Sequence, residues 1–145
     1  MFPNFQDQEF VLTNLITLKT STLQRGDVIV FASPTDADKD FIKRVVGLPG
    51  DSVMVKDGMV YVNNERFDES HYLKTDVKTY GGAFLKEGVA STVQPGEYFA
   101  LGDNRPYSSD SREWGGVPMS KIIGKSMFIY WPMGQMRAVT NPFTN

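Results

Sequence analysis

Val53-Met54-Val55-Lys56-Asp57-Gly58-Met59-Val60-Tyr61-Val62 reads as two short β-strands joined by a two-residue turn. Valine and tyrosine suit an extended, half-buried backbone, and glycine in the turn tolerates the positive φ that so tight a connection requires. The same pattern continues on both sides. Turn residues are dense, with 13 Gly and 8 Pro, and the segments between them are short and rich in Val, Ile, Phe and Tyr. Strands are expected at Glu9 to Thr13, Asp27 to Ala32, Phe41 to Gly47, Ser52 to Lys56, Met59 to Asn63, Glu97 to Leu101 and Ile122 to Trp131. Long helical periodicity is absent. The expected fold is mainly β, built from antiparallel sheets. From Asn63 to Pro95 the chain turns polar and holds Gly81-Gly82, so residues 63–95 read as a polar excursion inserted in the β core.

The chain of 145 residues suffices for one domain, expected to span 1–145, and is too short for two ordinary ones. With 41% hydrophobic and 22% charged residues its composition is that of a folded protein. A net charge of -2 offers no cationic excess to neutralise phosphates, so nucleic acid is not expected as a partner. There are no cysteines, which excludes disulfides, thiol nucleophiles and thiolate metal sites. Neither a metal nor another cofactor is expected. Val28-Ile29-Val30-Phe31-Ala32 is far shorter than the ~20 apolar residues that span a bilayer. Met1 to Asp7 also lacks the positive start and apolar stretch of a signal peptide.

Two segments stand out chemically. In Phe41-Ile42-Lys43-Arg44-Val45-Val46-Gly47-Leu48-Pro49-Gly50-Asp51, adjacent cations interrupt an apolar strand. Side chains alternate across a strand, so Lys43 shares a face with Phe41 and Val45, and Arg44 shares the other with Ile42 and Val46. A lysine on an apolar face loses the hydration that favours its charged form, its pKa falls, and it becomes able to act as a base. On these residues alone, the bland reading, a snorkelling strand lysine whose stem packs and whose amine reaches water, stands ahead of it.

The second segment, Gly102-Asp103-Asn104-Arg105-Pro106-Tyr107-Ser108-Ser109-Asp110-Ser111-Arg112-Glu113-Trp114-Gly115, is almost wholly polar and follows a strand. It reads either as a solvated surface loop or as a buried polar network that fixes a site. His71 is the only histidine and lies in a polar stretch, where it is expected to be an exposed bystander. A Ser-His-Asp triad would have to use it. Ser126 is expected to be structural, inside the terminal strand.

Together these segments resemble the type I signal peptidases. Arg25-Gly26-Asp27-Val28-Ile29-Val30-Phe31, Lys43 to Asp51, and Gly102 to Arg105 followed by Ser108, Asp110-Ser111-Arg112, Trp114-Gly115 and Val117-Pro118 match that family's motifs in order. Ile123-Gly124-Lys125 and Tyr130-Trp131-Pro132 extend the likeness. The resemblance implies antiparallel β-sheets of the signal peptidase I and SOS-repressor protease type. It makes Lys43 the general base of a Ser-Lys dyad, and Ser108 the hydroxyl that hydrogen-bonds and orients its amine. Asp110 and Arg112 become a supporting ion pair, with Asp103 and Arg105 as structural partners nearby. Pro106-Tyr107 departs from the family's usual Asp-Asn and changes the support of Ser108.

Met1-Phe2-Pro3-Asn4-Phe5 resembles the segment in which the family's nucleophilic serine directly precedes Met-x-Pro, so that serine is expected just before Met1, outside this chain. The chain as given is then expected to be inactive. The implied substrates are preprotein signal peptides, cut after small residues of the Ala-x-Ala type. The implied location is the extracytoplasmic face of the bacterial plasma membrane, held by an anchor missing from this chain. The segments Phe5 to Leu12 and Phe41 to Val45 are candidate walls for the substrate pockets. Two rival readings remain: a self-cleaving Ser-Lys domain of SOS-repressor type, and a module that binds signal peptides without cutting them.

Overall fold

The computed structural model describes residues 1–6, 8–14, 22–36 and 38–144. Among the described residues eleven strands follow in order: β1 (Phe10–Asn14), β2 (Val28–Ala32), β3 (Asp40–Gly47), β4 (Ser52–Lys56), β5 (Met59–Val62), β6 (Glu65–Arg66), β7 (Ser91–Thr92), β8 (Glu97–Leu101), β9 (Val117–Pro118), β10 (Ile122–Trp131) and β11 (Arg137–Ala138). A one-turn helix, α1 (Ser111–Trp114), interrupts them. Each strand expected from sequence forms, with ends displaced by no more than one residue. The unexpected strands β6, β7, β9 and β11 have two residues each, too few to show any alternation.

All pairings are antiparallel. The larger sheet runs β1-β10-β2-β3-β8-β9, with β11 added to β10, and the smaller runs β6-β5-β4-β7. Asp57 and Gly58 join β4 to β5 with φ of 54° and 78°. Positive φ at both positions defines the mirror-image turn whose twist suits a hairpin.

β3 occupies the middle of the larger sheet, with Lys43 opposite Ile29 of β2 and Arg44 opposite both Val28 of β2 and Leu101 of β8. It is buried on both faces, because consecutive residues feed different clusters. Val45 packs with Ile29, Phe31, Ala100 and Ile122, with Phe41 and Trp114 against them. Val46 packs with Val53, Val55, Val60, Phe99 and Leu101, so the hairpin and the larger sheet share that core. A third cluster joins Phe5, Val28 and Ile129, with Met1 and Ile42 packed on it.

The polar excursion at residues 63–95 contributes to this core despite its composition. Leu85 and Val93 complete the cluster around Val46. Thr79 N donates to Gly58 O at 3.0 Å, and Gly82 N donates to Leu85 O at 2.8 Å. Between β6 and β7, turns and single backbone hydrogen bonds replace a regular ladder, which is why periodicity could not read the excursion. Leu85 is 1% exposed, so Leu85→Ala is expected to cost about 2–5 kcal/mol of stability through lost burial and the cavity left behind. Urea denaturation measures this, and an unchanged midpoint would mean that the excursion is not part of the cooperative unit.

Candidate active site

Strand alternation sends the two adjacent cations of β3 in opposite directions, and each meets a different environment. Lys43 lies over the ring of Phe41, its Nζ 5.1 Å from the centroid. Burial holds its amine below the ordinary lysine value near 10.5; Asp110 and Asp103 pull upward and Arg112 downward, leaving a net lowering. Arg44, 4% exposed, turns to the other face. Its Nε and Nη2 donate to the two carboxylate oxygens of Asp103 at 3.0 and 2.9 Å, and its Nη1 donates to Gly26 O at 2.9 Å. This bidentate pair ties β3 to the loop after β8.

That loop carries the remaining residues singled out by sequence. Gly102 packs directly on Ser108 and Lys43: a Cβ there would lie 2.0 Å from Ser108 Oγ and 3.5 Å from Lys43 Cδ. The hydroxyl and the lysine stem thus meet at one point, and only a residue without a side chain fits between them. Ser108 Oγ is buried and makes no hydrogen bond within the protein. The bond expected from it to the Lys43 amine is not formed in this structure, although the lysine stem packs beside the hydroxyl.

Asp110 and Arg112 are 2.8 Å apart in an ion pair, with the Asp110 side chain wholly buried. Asp110 also caps α1 by accepting from Arg112 N at 3.2 Å. It further accepts from Gly102 N at 3.1 Å. Asp103 and Arg105 do not pair with each other. Asp103 takes Arg44, whereas the buried Arg105 guanidinium takes Glu69 and donates to Thr79 Oγ1 at 2.5 Å. Arg105 Nε donates to Gly102 O at 3.0 Å. Burial opposes the Arg105 charge, but Glu69 more than compensates, and the guanidinium stays protonated.

Sequence reasoning missed Glu69, Tyr72 and Thr79 of the excursion, and Asn4. Asn4 Nδ2 donates to Asp103 Oδ2 and to Tyr72 O, both at 2.8 Å, which fixes the N-terminal segment beside the Arg44 pair. Met1 reaches the same place, its sulfur accepting from Asp103 N at 3.4 Å. The available signal was Arg44: a cation with apolar neighbours needs a carboxylate, but its partner lies 59 residues away. His71 is exposed and lies 3.9 Å from Asp68. Ser126 is buried in β10 with its Oγ unpaired.

In the sheet β10 and β2 lie between β1 and β3, but the two expected pocket walls meet in the third cluster, where Val11 and Ile42 pack on the group that contains Phe5; Asp7 of the first wall lies outside the described residues. A cleft of ≈ 540 Å³ also opens where Phe31 and Trp114 border Ser33, Val117 and Lys121. Phe31 stands edge-on to both Phe41 and Trp114, so the cleft adjoins the face of β3 that bears Lys43.

The lowered Lys43 pKa has a consequence for stability. Between its folded and unfolded values the unfolded chain binds the extra proton, so stability rises with pH across that interval. Lys43→Met removes the buried charge. The variant is expected to gain stability relative to the parent below the folded value, with the gain fading as pH rises toward 10.5. Urea midpoints taken along the pH scale test this, and a difference independent of pH would contradict it.

The family model for "Signal peptidase, peptidase S26" matches residues 1–131. Signal peptidase IB of Staphylococcus aureus strain Mu50 is 35% identical over 153 residues, covering 98% of this chain and 78% of that protein. Probable signal peptidase I-2 of Synechocystis is 35% identical over 147 residues, covering 97% of this chain and 63% of that protein. The crystal structure of a signal peptidase I from Enterococcus faecalis V583 superposes with a TM-score of 0.59 at 31% identity, covering 72% of this chain and 97% of that one.

Proposed function

This chain belongs to the signal peptidase family, peptidase S26, and on that premise we propose that it is a Ser-Lys endopeptidase domain, residues 1–145, that cuts signal peptides from preproteins. The observation that carries this reading is the Lys43 stem packing with the buried Ser108 hydroxyl on the bare face of Gly102, with the lysine amine desolvated.

In this mechanism a serine immediately before Met1 attacks the carbonyl after a small residue. Neutral Lys43 takes the serine proton as the bond forms and then donates it to the leaving amine, and water releases the acyl-enzyme. The contact of Met1 with Asp103, and of Asn4 with Asp103 and Tyr72, supports a nucleophile held close to the strand that carries Lys43. Ser108 Oγ serves as the acceptor that steadies the amine once Lys43 rotates toward it. Ala-x-Ala specificity requires shallow pockets, for which the side of β3 bordered by Phe41 and the Phe31-Trp114 cleft is the candidate lining. Among the described residues no helix is long and apolar enough to cross a membrane. We assign the membrane anchor to a segment beyond this chain and the domain to the extracytoplasmic face.

The test compares this chain with one extended upstream by a serine before Met1, using a signal-peptide substrate with Ala at both small positions. Cleavage is expected in the extended protein, with Lys43→Ala lowering kcat by about a hundred- to ten-thousand-fold, the range for losing a general base. Because the base must be neutral, kcat/KM of the extended protein should climb with pH through the lowered Lys43 value. Activity in the unextended chain would place the nucleophile elsewhere, and full activity of Lys43→Ala would remove the lysine from the mechanism. Binding without turnover in the extended protein would reduce the domain to a signal-peptide-binding module.

A further inference from the structure

Gly102 is held at both ends of its backbone, and each hold comes from one member of a buried ion pair. Its N–H donates to Asp110, which is paired with Arg112. Its C=O accepts from Arg105 Nε, and the same guanidinium is engaged by both carboxylate oxygens of Glu69, Nη1 reaching Oε2 at 3.0 Å and Nη2 reaching Oε1. Arg112 joins the two pairs by donating from Nη2 to Arg105 O at 2.8 Å. A third contact fixes Glu69 itself, because Tyr72 Oη donates to Glu69 Oε1 at 2.7 Å. Burial, followed by the neighbouring Glu69 charge, pushes the Tyr72 phenol well above its ordinary value, so it remains a donor. The Tyr72 ring in turn lies over the Arg44 guanidinium, 4.3 Å from its centroid.

These contacts have a geometric consequence. The α-carbon of Gly102 is the point on which Ser108 and Lys43 both pack, with no room for a methyl group. A shift of this one peptide therefore moves the hydroxyl and the lysine stem, which carries the amine, relative to each other. Asp110 and Arg112 belong to the same short loop as Ser108 and move with it. Glu69 does not: it enters from the excursion, 36 residues from Arg105 in sequence, and provides an anchor outside the loop.

We propose that Glu69 is a positioning residue of the active site, acting through Arg105 on Gly102 to set the spacing of Ser108 and Lys43. This rests on the functional reading above in taking Lys43 as the base. The geometric link itself is independent of which group is the nucleophile. Tyr72, by holding Glu69 and covering Arg44, couples the anchor of the loop to the anchor of β3.

The first measurement is the NMR titration of the Lys43 side chain, with 13Cε-lysine label, in this chain and in Glu69→Gln. Glutamine keeps the size and an acceptor for Arg105 but gives up the charge. The Lys43 titration is expected to move upward toward the ordinary lysine value, because a loosened Gly102 admits water to the amine. In the protein extended by serine, the rising limb of kcat/KM should move to higher pH by the same interval. Its kcat should fall on the order of ten-fold or more, with KM little changed, as expected for misplaced reacting groups. Val60→Ala, a core change in β5 outside the loop and the excursion, supplies the control for lowered stability. It is expected to leave the Lys43 titration in place.

An unmoved Lys43 titration in folded Glu69→Gln overturns the inference, and so does an equal shift in Val60→Ala, which would reduce Glu69 to a structural brace. If Glu69→Gln does not fold, Tyr72→Phe, which removes only the hydroxyl bond to Glu69, must show the same upward shift to a smaller extent, and no shift there overturns the inference. A fully active Lys43→Ala in the extended protein would sink the base assignment. The titration in the unextended chain would still decide the role of Glu69.

Discussion

The bidentate pair of Arg44 with Asp103 is the constraint on which the site depends. Arg44 lies in the middle of a strand buried on both faces, and Asp103 lies just past the end of β8, so the pair fixes where the loop leaves the sheet. A lone charge in either position would be prohibitive, and removing one partner of a buried pair costs several kcal/mol because the other is left uncompensated. The carboxylate here is also shared, since Asn4 donates to it. One carboxylate thereby references the N-terminal segment, the strand of Lys43 and the loop of Ser108 to a single point.

Other ion pairs extend this logic over the motifs. Arg25 and Asp51, 2.7 Å apart, join the segment before β2 to the turn after β3. Asp27 and Lys125, 2.6 Å apart, join the same segment to β10. Arg44 Nη1 also bonds Gly26 O between them. The charged residues that made the motifs recognisable are therefore mostly braces between segments distant in sequence. Ser108 and Lys43 sit among them as the groups left without such a partner among the described residues. That separation of roles follows from chemistry: an arginine cannot give up its proton and serves as a permanent strut, while a lysine can.

The strands were legible because each carries a short apolar run between Gly, Pro or Asn, and the larger sheet imposes a strict face on every run. Asp57-Gly58 was legible because only a few residues accept its turn. The alternation of Lys43 and Arg44 was legible for the same periodic reason. The excursion was not, since Thr79, Leu85 and Glu69 reach the core and the site from turns, and no period links them. Nor could sequence distribute the counter-charges. Asp103 and Arg105 stand two apart and suggest a local pair, but the loop geometry sends Asp103 to β3 and Arg105 to the excursion. Local spacing predicts partners only where the backbone is regular; this loop has one turn of helix, and it is there that a short-range pair, Asp110 with Arg112, does form.

The same distribution bears on how the Lys43 amine is held below its ordinary value among so many charges. Around Lys43 the carboxylates of Asp110 and Asp103 would each favour the protonated amine, and Arg112 opposes them. Each carboxylate is also committed to an arginine, Asp110 to Arg112 and Asp103 to Arg44, and their combined pull on the amine still leaves a net lowering. Desolvation against Phe41 and the packed stem is then the largest surviving influence, and it favours the neutral form. The ion pairs thus hold the loop, while burial remains the largest influence on Lys43, which has no ion-pair partner among the described residues.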